Sequence, residues 1–149
     1  MSQIVLPYIL TEAQLEAYAN QVSDGDDGFP DDDLEFSAGF DCETRSMIAL
    51  GTILQDQVSV SAPKFECVER LREHEIALLL AFHFWDKLPI MARLEGLTSN
   101  RVYLGQSYEE LFAETSSDAP AAMLEAIRFV RAGVERLDET NCWFLLFIS

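Results

Sequence analysis

Hydrophobic residues are arranged along this chain in two ways, as stripes at helical spacing and as short runs that carry no polar face. The clearest stripe lies between Asp118 and about Leu137, where Met123, Ile127, Val130, Val134 and Leu137 recur every three or four residues, with Arg128, Arg131 and Glu135 outside it. That spacing predicts an amphipathic helix, with Pro120 in the first turn, where its missing N–H is no loss. A second helix is predicted from Glu12 to about Val22, burying Leu15, Tyr18, Ala19 and Val22. Thr11 and Gln14 form a capping-box pattern at its start, and Leu10 and Leu15 occupy the two positions of a hydrophobic staple. A third helix covers Glu43 to about Gln55 through Met47, Ile48, Leu50, Ile53 and Leu54, weakened at Gly51 by about 1 kcal/mol relative to Ala.

The runs without a polar face admit more than one reading. From Lys64 to Lys87 the chain reads as one helix. Phe65, Val68 and Leu71 give it a half-buried face, and after Glu75 the apolar residues from Ile76 to Trp85 cover it nearly all round. Residues of about 64–87 are therefore expected to form a central buried helix, stopped by Pro89. Cys142 to Ile148 is as apolar but too short for a helix after Thr140 and Asn141, and predicts a strand buried on both faces. Ser2 to Leu10 suits a strand that Pro7 confines to an edge or bulge. Gln57 to Ser61 alternates like a brief strand. Arg101 to Leu104 reads as another, ending at Gly105, before a helix that a Ser107–Glu110 capping-box pattern would open and that would run to about Glu114. The sum is an α+β fold: a helix-rich single domain, residues 1–149, with a small sheet that includes both termini and an all-α bundle as the alternative.

Charge changes what this domain can bind. Among 149 residues there are 26 acids and 10 Lys or Arg, a formal net charge of -16. The excess is concentrated early: 12 acids and only Arg45 as a base up to Val60, against 14 acids and 9 bases thereafter. Such a field repels phosphate backbones and anionic membrane surfaces, so direct nucleic-acid or membrane binding is disfavoured. It attracts and steers basic protein surfaces, or serves solubility alone. The densest part, Ser23 to Asp33 (SDGDDGFPDDD), has neither helical nor strand periodicity and reads as a solvated loop.

Chemistry-bearing patterns are sparse. His74 and Glu75 begin a zinc-protease motif, but Leu78 stands where the second histidine is required. On one helix His74 and His83 would face opposite ways. His83, between Phe82 and Phe84, reads as a hydrogen-bonded core histidine. Asp24, Asp26 and Glu35 match three positions of a calcium loop, yet Phe29 replaces its turn glycine. Cys42, Cys67 and Cys142 are far apart and read as reduced thiols. No phosphate-cradling, dinucleotide or nucleophile-elbow motif is present, no cofactor or metal is indicated, and the chain is expected not to be an enzyme. The apolar run at Ile76 to Trp85 is half the length a membrane span needs, and no basic leader precedes Arg45, which predicts a cytoplasmic protein.

What is left is the early acidic segment with its aromatics. Asp24, Asp26, Asp27, Asp31, Asp32, Asp33 and Glu35 are the candidate partner-binding carboxylates, with Phe29 and Phe36 as desolvated anchors among them. The competing reading tucks both rings into the core beneath solvated acids. The sequence thus points to a small inhibitor masking a basic partner, such as an immunity protein or antitoxin on its toxin. A phage-type nucleic-acid mimic and an enzyme of unrecognised type are the alternatives.

Overall fold

The computed structural model describes residues 4–26, 28–54, 61–74, 78–115 and 117–148. Its centre is the strand that the sequence marks most clearly. β3 (Trp143–Ile148) is buried at every residue and lies between β1 (Val5–Leu10) and β2 (Leu78–His83), antiparallel to both. Side chains alternate across a strand, so an all-apolar β3 needs a cover on each face. Phe144, Leu146 and Ile148 enter one core, and Trp143, Leu145 and Phe147 enter the other.

Helices supply both covers. α1 (Glu12–Ser23) and α3 (Phe65–Glu73) lie on the Trp143 face. α2 (Thr44–Leu54), α4 (Lys87–Thr98), α5 (Arg101–Phe112) and α6 (Ala119–Glu135) lie on the Phe144 face, with α6 packed against the other three. The α+β class and the sheet built from both ends of the chain are as the sequence predicts. α1 opens with the predicted capping box: the Thr11 hydroxyl accepts from the Gln14 N–H at 3.2 Å, and the Thr11 N–H donates to Gln14 Oε1 at 2.8 Å.

The expected central helix over about 64–87 is not formed. α3 ends at Glu73, and from Leu78 the chain pairs with β3 as β2. A strand covered by helices on both faces carries the same unbroken apolar run as a fully buried helix. The residues of that run are mostly Leu, Ala and Phe, which favour helix or are neutral, so tertiary pairing overrides propensity here. Pro89, predicted to stop a helix, instead sits in the first turn of α4, where its ring and missing N–H are tolerated.

The strand expected at Arg101 to Leu104 is also helix. Asn100 caps α5 by accepting the Tyr103 N–H on its side chain, and Ser107 lies inside the helix rather than at its start. The short strand predicted at Gln57 to Ser61 falls almost entirely outside the described residues. No helix among the described residues is long and apolar enough to cross a membrane.

Candidate partner-binding groove

β1 is an edge strand, and the acidic segment is fixed to that edge at both ends. Phe29 packs edge-on against Phe147, with ring centroids 5.4 Å apart, on the α1 side of the sheet. Phe36 packs edge-on against Phe144 at 6.0 Å, on the opposite side. The residues between one anchor and the other therefore cross the sheet edge from face to face. Two backbone contacts hold the crossing in place: Glu35 forms an isolated antiparallel bridge with Tyr8, and the Phe36 N–H donates to the Pro7 carbonyl at 2.9 Å.

This geometry settles where each candidate residue lies. Asp24 ends α1 with its own N–H bonded to the Asn20 carbonyl. Asp26 accepts from the Gln21 side-chain amide and from the Gly28 N–H, and these bonds hold its carboxyl below the usual range. Asp27 lies outside the described residues. Asp32 and Asp33 lie in a 3-10 turn (Asp32–Leu34) that Asp31 precedes as N-cap, its carbonyl accepting the Leu34 N–H, and Glu35 follows the turn onto the β1 edge. All six described acids are exposed, and none takes part in a described ion pair. The four described pairs, Arg45–Glu114, Lys64–Glu16, Arg128–Glu125 and Arg131–Glu135, lie elsewhere.

The phenylalanines do less than proposed for them as anchors for a partner. Phe36 is 8% exposed and Phe29 is half-buried, each already seated on β3. They position the acids instead of projecting with them.

Beside the edge lies an open groove of about 910 Å³. It is lined by residues 4–7 of the β1 strand region, by residues 36–42 and by Phe129, with Asp32, Glu35 and Asp41 as its acidic members. Negative potential at this edge also acts on the strand itself: burial first, then the charges of Glu35 and Asp32, push the Tyr8 phenol upward. Two cations flank the groove without pairing to its acids. The Arg128 guanidinium lies 5.1 Å from the Phe40 ring centroid and that of Arg136 lies 5.3 Å from that of Phe36. The sequence pattern carries no sign of Val5, Pro7, Asp41 or Phe129 as groove residues, because the strand pairing and the edge crossing bring them together.

A second cluster, also assembled by pairing, lies under α1. Glu12, His83 and Cys142 bring one ligand-type atom each to within 4.8 Å of one another. His83 is 1% exposed, as the sequence reading expects, and its Nδ1 accepts the Trp85 N–H at 3.0 Å. In a neutral ring that bond places the proton on Nε2, leaving no lone pair there for a cation or for the Cys142 proton. Burial, with Glu12 adding to it, pushes the Cys142 thiol up, away from the thiolate form that attacks. The cluster is therefore arranged neither as a metal centre nor as a thiol–imidazole nucleophile.

The fold is that of a single α+β domain, and Asp32, Glu35 and Asp41, none of them in a described ion pair, line a groove beside its edge strand β1. No family model, curated protein or solved structure matches the chain.

Proposed function

We propose that the protein is a small inhibitor that covers a basic surface of another protein with its 24–35 segment. An immunity protein or antitoxin neutralising a cognate toxin in the cytoplasm is the form this takes. The observation that carries the reading is the state of the acids: six carboxylates between Asp24 and Glu35 are exposed and free of described ion pairs on one anchored segment. Carboxylates left for solvation alone need no such anchoring, whereas a complementary surface gains from holding its charges in place. A basic nuclease-like cleft, evolved to grip phosphates, presents the matching potential.

The reading is tested by titrating the protein against a folded basic ribonuclease at about 0.01 M and about 0.15 M salt, between which the screening length falls from about 30 Å to about 8 Å. Binding that weakens with salt, and that is lost when Asp24, Asp31, Asp32 and Asp33 are changed together to Asn, is expected. Absence of binding at both salt concentrations, with this and other basic domains, overturns it.

A further inference from the structure

We propose that Glu12, His83, Cys142 and Trp143 enclose one sequestered water molecule, which accepts hydrogen bonds from two ring N–H groups and donates to the Glu12 carboxylate. The inference stands apart from the acidic segment and from the reading of the protein as an inhibitor. Three observations carry it.

The first is a pair of buried donors. His83 and Trp143 are 1% and 0% exposed, and neither His83 Nε2 nor Trp143 Nε1 has a hydrogen-bond partner among the described residues. The indole nitrogen is always a donor, and the Trp85 N–H on His83 Nδ1 makes Nε2 the protonated nitrogen of the neutral ring. Both atoms therefore present an N–H to the interior. A buried donor left unmet has lost its hydration with nothing in return, which is why such groups are met by protein or by an internal water.

The second is the strand register that brings the two donors together. His83 pairs with Trp143 across β2 and β3, and the Phe84 N–H on the Cys142 carbonyl makes the next pair along a hydrogen-bonded one. His83 and Trp143 are then the closer, non-hydrogen-bonded kind of pair, with both side chains on one face. Their ring centroids are 4.6 Å apart. Glu12, in the first turn of α1, and Cys142 complete the group, since one atom each from Glu12, His83 and Cys142 lies within 4.8 Å of the other two. Three atoms so spaced share a point no more than about 2.8 Å from each, the length of an ordinary hydrogen bond.

The third is the balance of donors and acceptors, which selects the guest. Two N–H groups require a lone pair from it, while the Glu12 carboxylate requires a proton. A metal or ammonium cation has no lone pair to give to the N–H groups, and a halide has no proton and is repelled by Glu12. Water supplies both, and the three bonds it would make are the usual number for an internal water. Bound there, it ties the first turn of α1 to β2 and β3 at once, and α1 is the helix whose far end leads into the acidic segment.

The test is NMR of the isotope-labelled full chain at about pH 7.5, where the imidazole is neutral. Cross-peaks to water from both the His83 Nε2–H and the Trp143 Nε1–H are expected, with laboratory-frame and rotating-frame Overhauser effects of opposite sign, the signature of a water that tumbles with the protein. Glu12→Gln keeps an acceptor oxygen and should retain both cross-peaks. Glu12→Leu should abolish them and move both N–H signals upfield. Added zinc should leave both signals of the parent in place.

Absence of the water cross-peak at either nitrogen overturns the proposal, as does a His83 ring that carries its proton on Nδ1. Loss of the Nε2–H signal on addition of zinc would make the cluster a metal site and ends it too. Cross-peaks that persist in Glu12→Leu show that the carboxylate does not hold the water, and likewise overturn it. Should that variant fail to fold, a crystal structure of the parent decides: a water oxygen within about 3.2 Å of both nitrogens is expected, and a direct bond from Nε2 to Glu12 overturns the proposal.

Discussion

Gly133 of α6 and Phe144 of β3 are in direct van der Waals contact, backbone against ring: a Cβ placed on Gly133 would overlap the aromatic ring. This contact sets how closely the largest helix lies on the sheet. Phe144 is fully buried and stacks against Phe82 of β2, with centroids 5.6 Å apart, so the ring has no free space to retreat into. Gly133→Ala is therefore expected to destabilise the fold by about 1–3 kcal/mol through overpacking, despite the better helix propensity of Ala. Gly96 provides the comparison. It lies on an exposed part of α4, where an added Cβ would meet nothing within 4 Å, and Gly96→Ala should stabilise by about 0.5–1 kcal/mol. Urea unfolding of the two variants reads opposite signs; a shared sign would show that α6 does not approach the sheet as described.

How much of this was legible depends on how local the cause is. The stripe of α6, the capping box of Thr11 and the apolar β3 are fixed within a few residues, and the sequence shows all three. The run that becomes β2 is different, since Leu78 to Phe82 would suit a buried helix equally well. Only pairing with β3, far along the chain, decides it. The acidic segment was visible as composition, but its crossing of the β1 edge depends on Phe29 and Phe36 finding opposite faces of one strand. The Glu12–His83–Cys142 cluster has no local sign at all, because the register His83↔Trp143 creates it.

Two capping-box patterns look alike in sequence and differ in structure. Thr11 makes both reciprocal bonds with Gln14, whereas Ser107 lies within α5. Thr11→Ala should cost about 1 kcal/mol and Ser107→Ala should be neutral or stabilising by a few tenths. Thermal unfolding of the pair distinguishes them, and equal losses would mean that α5 begins at Ser107 after all.

Cysteine reactivity should follow burial. The Cys42 thiol is pushed up to about 11, chiefly by burial, with the nearby Glu43 and Glu125 charges adding to it, and Cys142 is raised for the same leading reason. Alkylation by iodoacetamide at about pH 8 should be slow at both in the native protein and become fast on unfolding, since the thiolate is the reactive form. Mass-mapped labelling that finds Cys142 modified first in the native state would contradict the closed arrangement around it.

His83 makes the fold sensitive to mild acid. Burial lowers its pKa below the ordinary 6.5, and the charges of Asp86 and Glu12 only partly oppose this. Above about pH 6.5 the ring is neutral in both folded and unfolded chains, so it contributes no pH dependence there. As pH falls through that value the unfolded chain takes up a proton that the folded chain refuses. Stability then declines, by at most about 1.4 kcal/mol per pH unit for one proton, until the lowered folded pKa is reached. The ordinary carboxylate pKa range near 4 lies below most of this window, which isolates the histidine. His83→Asn keeps an acceptor for the Trp85 N–H without titrating. Between about pH 7.5 and about pH 5 the urea midpoint of the parent should fall while that of the variant stays nearly flat. Parallel slopes would mean that His83 takes up its proton as readily in the folded chain as in the unfolded one, and that the pocket beside Trp143 is open to water.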